Sequence, residues 1–162
     1  MADMSRRGML ASLALRSKTL PLRPPYGGAE ELFHQECPSC VDAPCVAVCE
    51  EAVIQKDEQG MPVLVFKDSG CTFCQACAHA CPKGVLSLEN EAKIKANVSL
   101  ETATCLAWNG VVCATCKDVC AVGAITFFGL YRPVVAGDVC TACGFCYGVC
   151  PVDAVRIQRR EV

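Results

Sequence analysis

Apolar and polar positions along this chain follow a pattern that occurs twice. After Cys49 the stretch EEAVIQKDEQGMPVLVFKDSGC gives a short apolar run, a polar turn, a Pro-Val run and an aspartate shortly before the next cysteine; after Cys120, AVGAITFFGLYRPVVAGDVC does the same. The β-branched content and the Gly and Pro punctuation predict a strand, a reversal and a second strand in each. PKGVLSLE after Cys81 and PVDAVRIQ after Cys150 each predict one more short strand. ENEAKIKANVSLETAT is charged and lacks strong apolar periodicity, which predicts a linker between two halves. No run of 18 apolar residues occurs, so no transmembrane segment is expected.

The cysteines carry the same alternation. CPSCVDAPCVAVC holds Cys37, Cys40, Cys45 and Cys49 in the spacing C-x2-C-x4-C-x3-C, and CTFCQACAHACP holds Cys71, Cys74, Cys77 and Cys81 in the spacing C-x2-C-x2-C-x3-C-P. CLAWNGVVCATCKDVC holds Cys105, Cys113, Cys116 and Cys120 with seven residues between the first two, and CTACGFCYGVCP holds Cys140, Cys143, Cys146 and Cys150 in the regular form. Cys71 and Cys140 are 69 residues apart, and Cys45 and Cys113 are 68 apart, so an irregular motif followed by a regular one is an internal repeat.

Composition explains why such a chain needs its cysteines. Hydrophobic residues make up 52 % of the 162, but 16 residues are cysteines and aromatics are only 6 %. Without the thiols the apolar share falls below the usual globular level of about 45 to 50 %. The length allows one ordinary domain or two very small ones, and cores this poor are stabilised by cross-links or metals.

Spacing and compartment separate disulfides, zinc and iron-sulfur clusters. Disulfide frameworks belong to secreted chains, but MADMSRRGMLASLALRSKTLPLRPPYGG offers no usable signal peptide: GMLASLAL is short, is ended by Arg16 and Lys18, and precedes no convincing cleavage site. Structural zinc prefers two separated C-x2-C pairs. In the regular motif, three cysteines spaced by two residues wrap one corner of a 4Fe-4S cubane, and the fourth, followed by proline, ligates the neighbouring cluster in two-cluster ferredoxins. Pro82 and Pro151 would end a helical turn at that point. Ala76, Ala78, Ala80, Ala142 and Gly144 keep the loops uncrowded, so that backbone N–H groups can approach the cluster sulfurs.

The irregular motifs are either working sites or decayed ones whose cysteines pack as small hydrophobes. Cys49 and Cys120 stand where crossed ligation needs them, and a longer loop costs only about 0.6 kcal/mol per doubling. All sixteen cysteines are therefore expected to ligate four 4Fe-4S clusters. The first motif is expected to cross with the second and the third with the fourth; outer-with-outer and inner-with-inner pairing is the alternative.

Other residues carry less. His34 and His79 are read as surface or near-cluster packing rather than ligands, and Phe73, Phe145, Tyr147 and Trp108 either shield clusters or form ordinary core. Neither G-x-G-x-x-G nor G-x-x-x-x-G-K-[ST] occurs, so no nucleotide site is expected. The formal charge of -2 divides into an excess of four basic residues over residues 1–29 and an excess of six acidic ones beyond, and four oxidised clusters would lower the total to about -10, which argues against nucleic acid as a partner.

SRRGML near the start, LRPPYGG before the first cysteine, and the C-x7-C-x2-C-x3-C third motif together resemble the NapF-type ferredoxins of the periplasmic nitrate reductase system. VDAP, with four residues where that family often has two, is a departure. The resemblance implies an α+β polyferredoxin of two tandem ferredoxin-like 2(4Fe-4S) modules, with short strands and helices around the clusters. Its expected parts are a basic N-terminal tail at 1–29, modules at 30–90 and 105–162, and the linker at 91–104. It also implies a cytoplasmic, non-enzymatic electron-transfer or accessory protein that interacts with the catalytic molybdenum subunit of periplasmic nitrate reductase and assists its maturation before export. SRRGML resembles a twin-arginine export signal as well, and the rival reading is an exported periplasmic ferredoxin donating electrons to a reductase. Arg16, Lys18 and Arg23 stand against it, where a cleavage site should follow. A zinc-stabilised interaction module without redox activity is the reading from a different class.

Overall fold

A computed structural model describes residues 20–160. SRRGML and the apolar stretch after it lie outside the described residues. The fold consists of small helices and strands: α1 (Glu30–Glu36), α2 (Pro44–Ala47), β1 (Ile54–Lys56), β2 (Pro62–Leu64), α3 (Ala76–His79), β3 (Ala96–Leu100), α4 (Thr115–Asp118), β4 (Ile125–Phe128), β5 (Tyr131–Val135), α5 (Phe145–Gly148) and β6 (Val155–Arg159).

Both hairpins expected from the apolar pattern are present: β1 pairs antiparallel with β2, and β4 with β5. In the first, the Asp57 carboxylate accepts the Gln59 and Met61 N–H groups and Gly60 takes a φ of 80°, which closes the reversal. In the second, Gly129 at φ 66° turns the chain after a register shift at Phe127/Phe128.

Two expectations fail in the connecting segments. No strand forms after Cys81. Gly84 takes a φ of 66° there, and only an isolated bridge joins Leu86 to Gly27, with Gly28 N–H donating to Val85 and Ser87 N–H to Tyr26. The segment 91–104, expected as a linker, contains β3, which pairs antiparallel with β6. Ala96, Val98 and Leu100 turn inward while Asn97 and Ser99 are exposed. That alternation is the mark of a half-buried strand, and the surrounding charges obscured it.

A third correction concerns the expected tail. Residues 20–28 are packed into the fold: Leu64 N–H donates to the Leu22 carbonyl at 2.8 Å, Pro25 is fully buried, and Tyr26 is 4 % exposed. Arg23, one of the basic residues of that expected tail, has a side chain only 9 % exposed. Its guanidinium donates to Glu30 at 2.7 and 2.9 Å and to the Pro62 carbonyl at 3.1 Å, and lies 5.2 Å from the Phe33 ring centroid. Glu30 also accepts from Arg159 of β6 at 2.7 Å, so one carboxylate ties the start of the described chain to its end.

The hydrophobic core is unequally shared. One cluster gathers Tyr26, Phe33, Ile54, Met61, Leu64, Phe66, Leu86 and Ile94, with Ala142 reaching it from the fourth motif. The two remaining clusters are small, one of Cys105, Ala107 and Ala154 and the other of Ile125, Cys146 and Val155. Thiols belong to all three clusters, Cys45 and Cys77 in the first and Cys105 and Cys146 in the others, but only the first adds large side chains in number.

Burial opposes ionisation of Glu30, but hydrogen bonds and charge from Arg23 and Arg159 outweigh it and hold its carboxyl below the usual glutamate value. A depressed carboxyl contributes stability above its unfolded value, and this contribution fades as the pH falls through the folded one. Glu30→Gln is expected to cost about 1–3 kcal/mol at pH 7, because one of the two guanidinium groups then faces an NH2 donor in place of its acceptor and both lose the charge that pairs with them. Denaturant unfolding of the wild type and the variant at pH 7 measures it, and equal midpoints would show that the contact is idle.

Candidate iron-sulfur sites

The last two cysteines of every motif are joined by one helical turn. α2, α3, α4 and α5 each begin one residue before the third cysteine and end before the fourth. Cysteines i and i+4 lie about 6 Å apart along such a turn, so they can serve two neighbouring sites. The fourth cysteine then leads into one recurring bend. Ala52, Gly84, Gly123 and Asp153, each three residues further on, all take positive φ, at 53°, 66°, 64° and 49°, and each donates its N–H back to the cysteine carbonyl. Two of these are not glycine, so the left-handed conformation is held against its usual cost. After three of the four bends the chain turns an N–H onto the cysteine sulfur: Leu86 to Cys81 Sγ at 3.5 Å, Ala124 to Cys120 Sγ at 3.3 Å and Ala154 to Cys150 Sγ at 3.2 Å. Donors of this kind favour thiolate character and tune the potential of a bound cluster.

The sixteen cysteines, all free thiols, line four cavities. Cys37, Cys40 and Cys45 share the first with Cys81, and Cys71, Cys74 and Cys77 share the second with Cys49. Cys140, Cys143 and Cys146 share the third with Cys120, and Cys105, Cys113 and Cys116 share the fourth with Cys150. Empty space is about 420 and 430 Å³ in the first two and about 350 Å³ in each of the others. The irregular motifs thus border as much space as the regular ones beside them. Three thiols come from one motif and the fourth crosses over from its neighbour, first with second and third with fourth. The four thiols ring a space instead of meeting at a point: among the described residues no three His, Cys, Asp or Glu side chains gather as ligands of a metal ion. A ring of separated thiols suits a 4Fe-4S cubane, whose ligands sit on different irons, better than a mononuclear tetrahedral zinc.

Local structure accounts for both irregular spacings. In the first motif Ala43 takes φ 38° and Pro44 opens α2, so the two additional residues bulge outward and leave Val41 85 % exposed. In the third, Asn109 closes the turn that follows Cys105. Its backbone N–H donates to the Cys105 carbonyl at 3.1 Å, and its side-chain amide donates to the carbonyls of Thr102, Ala103 and Cys105 at 3.1, 3.2 and 2.8 Å. Trp108 Nε1 donates to the Pro133 carbonyl at 3.0 Å, which anchors the loop to β5. Cys105 is buried in consequence, facing Cys113 and Cys116 across the cavity.

Burial, reinforced by neighbouring thiols, pushes Cys37, Cys71 and Cys116 up from 9 to about 11 and Cys77 and Cys146 to about 12. In the cluster-free fold these groups are protonated at neutral pH, and iron must displace their protons to be bound. His34 and His79 line none of the four cavities. Phe73 and Tyr147 pack against the main core, and Trp108 against the cluster around Cys105.

Sequence reasoning missed Tyr26 and Asn109. Tyr26 lines the second cavity and its hydroxyl donates to the Phe73 carbonyl at 2.9 Å; burial, then the thiols of Cys71, Cys77 and Cys74, raise its pKa. The PPYGG stretch was the available signal, because Tyr26 holds φ 64° and a Cβ on Gly27 would stand 2.8 Å from Phe33. Asn109→Ala is expected to lower the stability of its loop by about 1–3 kcal/mol. Hydrogen exchange across 102–113 measures this, and unchanged protection would show that Asn109 does not order the third motif.

Residues 36–85 match the 4Fe-4S dicluster domain family and residues 133–156 the 4Fe-4S binding domain family. The first match spans both motifs of the first half and the second spans the fourth motif. The third motif lies outside both. The chain is 37 % identical over 160 residues to the ferredoxin-type protein NapF of Escherichia coli strain K12, covering 96 % of this chain and 95 % of that protein. It is 30 % identical to the ferredoxin-type protein NapG of Haemophilus influenzae, over 93 % of this chain and 62 % of that one, and 29 % identical to the methylamine utilization ferredoxin-type protein MauM of Methylorubrum extorquens, over 92 % and 77 %. With its cluster-binding domains and its near full-length likeness to NapF, the chain belongs to the NapF family of 4Fe-4S ferredoxin-type proteins.

Proposed function

We propose that the protein carries four 4Fe-4S clusters in two tandem ferredoxin-like modules, with all sixteen cysteines as ligands, and serves as an electron-transfer or accessory protein without catalysis of its own. The observation that carries this reading is the crossing of thiols: each of the four cavities has three cysteines from one motif and a fourth from its neighbour. Bound clusters supply one-electron chemistry. The chain orders the thiols and points backbone N–H groups at Cys81, Cys120 and Cys150.

Within the cell, the reading is of a cytoplasmic partner of the catalytic molybdenum subunit of periplasmic nitrate reductase, assisting its maturation before export. Membership of the NapF family supports it. No described helix is long and apolar enough to cross a membrane.

Anaerobically purified protein is expected to contain about 16 iron atoms per chain, against about 12 if the third motif were a remnant. Pairing is tested by double substitution. Cys81→Ser combined with Cys40→Ser should lose no more iron than either change alone, because both thiols face one cavity, whereas Cys81→Ser with Cys74→Ser should lose about twice as much. Additive loss in the first pair would refute the crossing. For the cellular role, a C-terminal tag and fractionation of cells grown anaerobically on nitrate should recover the protein from cytoplasm with the molybdenum subunit attached. Recovery from periplasm with the SRRGML end removed would replace this role with that of an exported carrier.

A further inference from the structure

The second and fourth motifs touch. Cys71 N–H donates to the Cys143 carbonyl at 2.6 Å, joining a cysteine of the second cavity to one of the third. Three glycines make the approach possible. A Cβ on Gly70 would stand 2.5 Å from Phe145 N and 2.7 Å from the Cys143 carbonyl oxygen, one on Gly144 would enter the Phe66 ring, and one on Gly148 would stand 2.5 Å from the Lys67 carbonyl oxygen.

The internal repeat separates this junction from the needs of cluster loops in general. With Cys71 aligned on Cys140, Gly70 corresponds to Val139, Gly144 to Gln75 and Gly148 to His79. All three counterparts are exposed, and each carries a side chain where the junction residue carries none. Backbone conformation does not account for the difference at 144, because Gln75 adopts the same left-handed region, φ 69° against 91°. Glycine therefore stands at these positions only in the copies that face the other half.

We propose that this junction is the electron path between the halves, with Gly70, Gly144 and Gly148 as positioning residues that bring the second and third cavities to a single hydrogen bond's separation and join the four sites into one route. The proposal rests on the four-cluster reading. The step is a one-electron exchange in which one cluster is oxidised as its neighbour is reduced, with no bond made or broken and no proton moved. A low-potential one-electron donor, dithionite in the test, supplies the electron.

The repeat also supplies the test. Gly70→Val places at the junction the residue that the other half carries at 139, while Val139→Gly makes the reverse change away from it. Holoprotein reduced with dithionite is examined by low-temperature electron paramagnetic resonance, with iron counted on the same samples. Wild type and Val139→Gly are expected to show magnetic interaction extending across all reduced clusters. Gly70→Val should keep its iron and show only the interactions within two separate pairs. A Gly70→Val spectrum identical to wild type at full iron, or a wild type whose interactions stop within each pair, would overturn the proposal. Should Gly70→Val fail to load, Gly148→Ala, which meets only backbone of residues 67 and 68, decides by the same spectrum. A wild type holding fewer than four clusters would instead overturn the proposed function.

Discussion

One helical turn between the third and fourth cysteines of each motif constrains the rest of the molecule. It is too short to persist as an isolated helix. It survives because the cysteine near its start is packed into a cavity wall, with Cys45, Cys77 and Cys146 buried and Cys116 half-buried. The turn sets two thiols about 6 Å apart along its axis, and the bend three residues beyond directs the chain away from the cavity, after Cys49 and Cys120 into a hairpin. Helix, bend and hairpin therefore follow from a requirement on sulfur placement, which explains why the same sequence of features recurs in both halves with so few large apolar residues.

The halves meet that requirement by different means. The first has a core that includes Phe33, Met61, Leu86 and Ile94, and Pro25 and Tyr26 line its second cavity. The second has only small clusters in which Cys105 and Cys146 are members. A core of that kind depends on what its thiols bind, because metal binding and folding draw on the same free energy. Glu30 partly offsets the inequality by holding Arg159 of β6 against Arg23 of the better-packed half.

The contact between the halves fits the same economy. Phe66, Gly70, Ala142 and Gly144 meet where motif two and motif four approach, and the absence of side chains there brings backbone against backbone. A repeat that needed only two independent pairs of sites would have no use for glycine on the facing copies alone.

Much of this was legible in the sequence. Sixteen cysteines, their spacing and the 69-residue repeat determined four groups of thiols, two hairpins and β6, because cysteine spacing and strand alternation are local properties of the chain. The bulge at Val41 and the turn at Asn109 were not legible, since spacing alone cannot tell whether added residues loop outward or carry a thiol away. Tertiary structure decided the rest. Ala96–Leu100 became a strand because β6 needed a partner, Arg23 became buried because Glu30 and Asp57 lay beside it, and the start of the described chain became core because Tyr26 and Pro25 had a cavity wall to cover. Each depends on residues distant in the chain coming together, and no local window of sequence contains both partners.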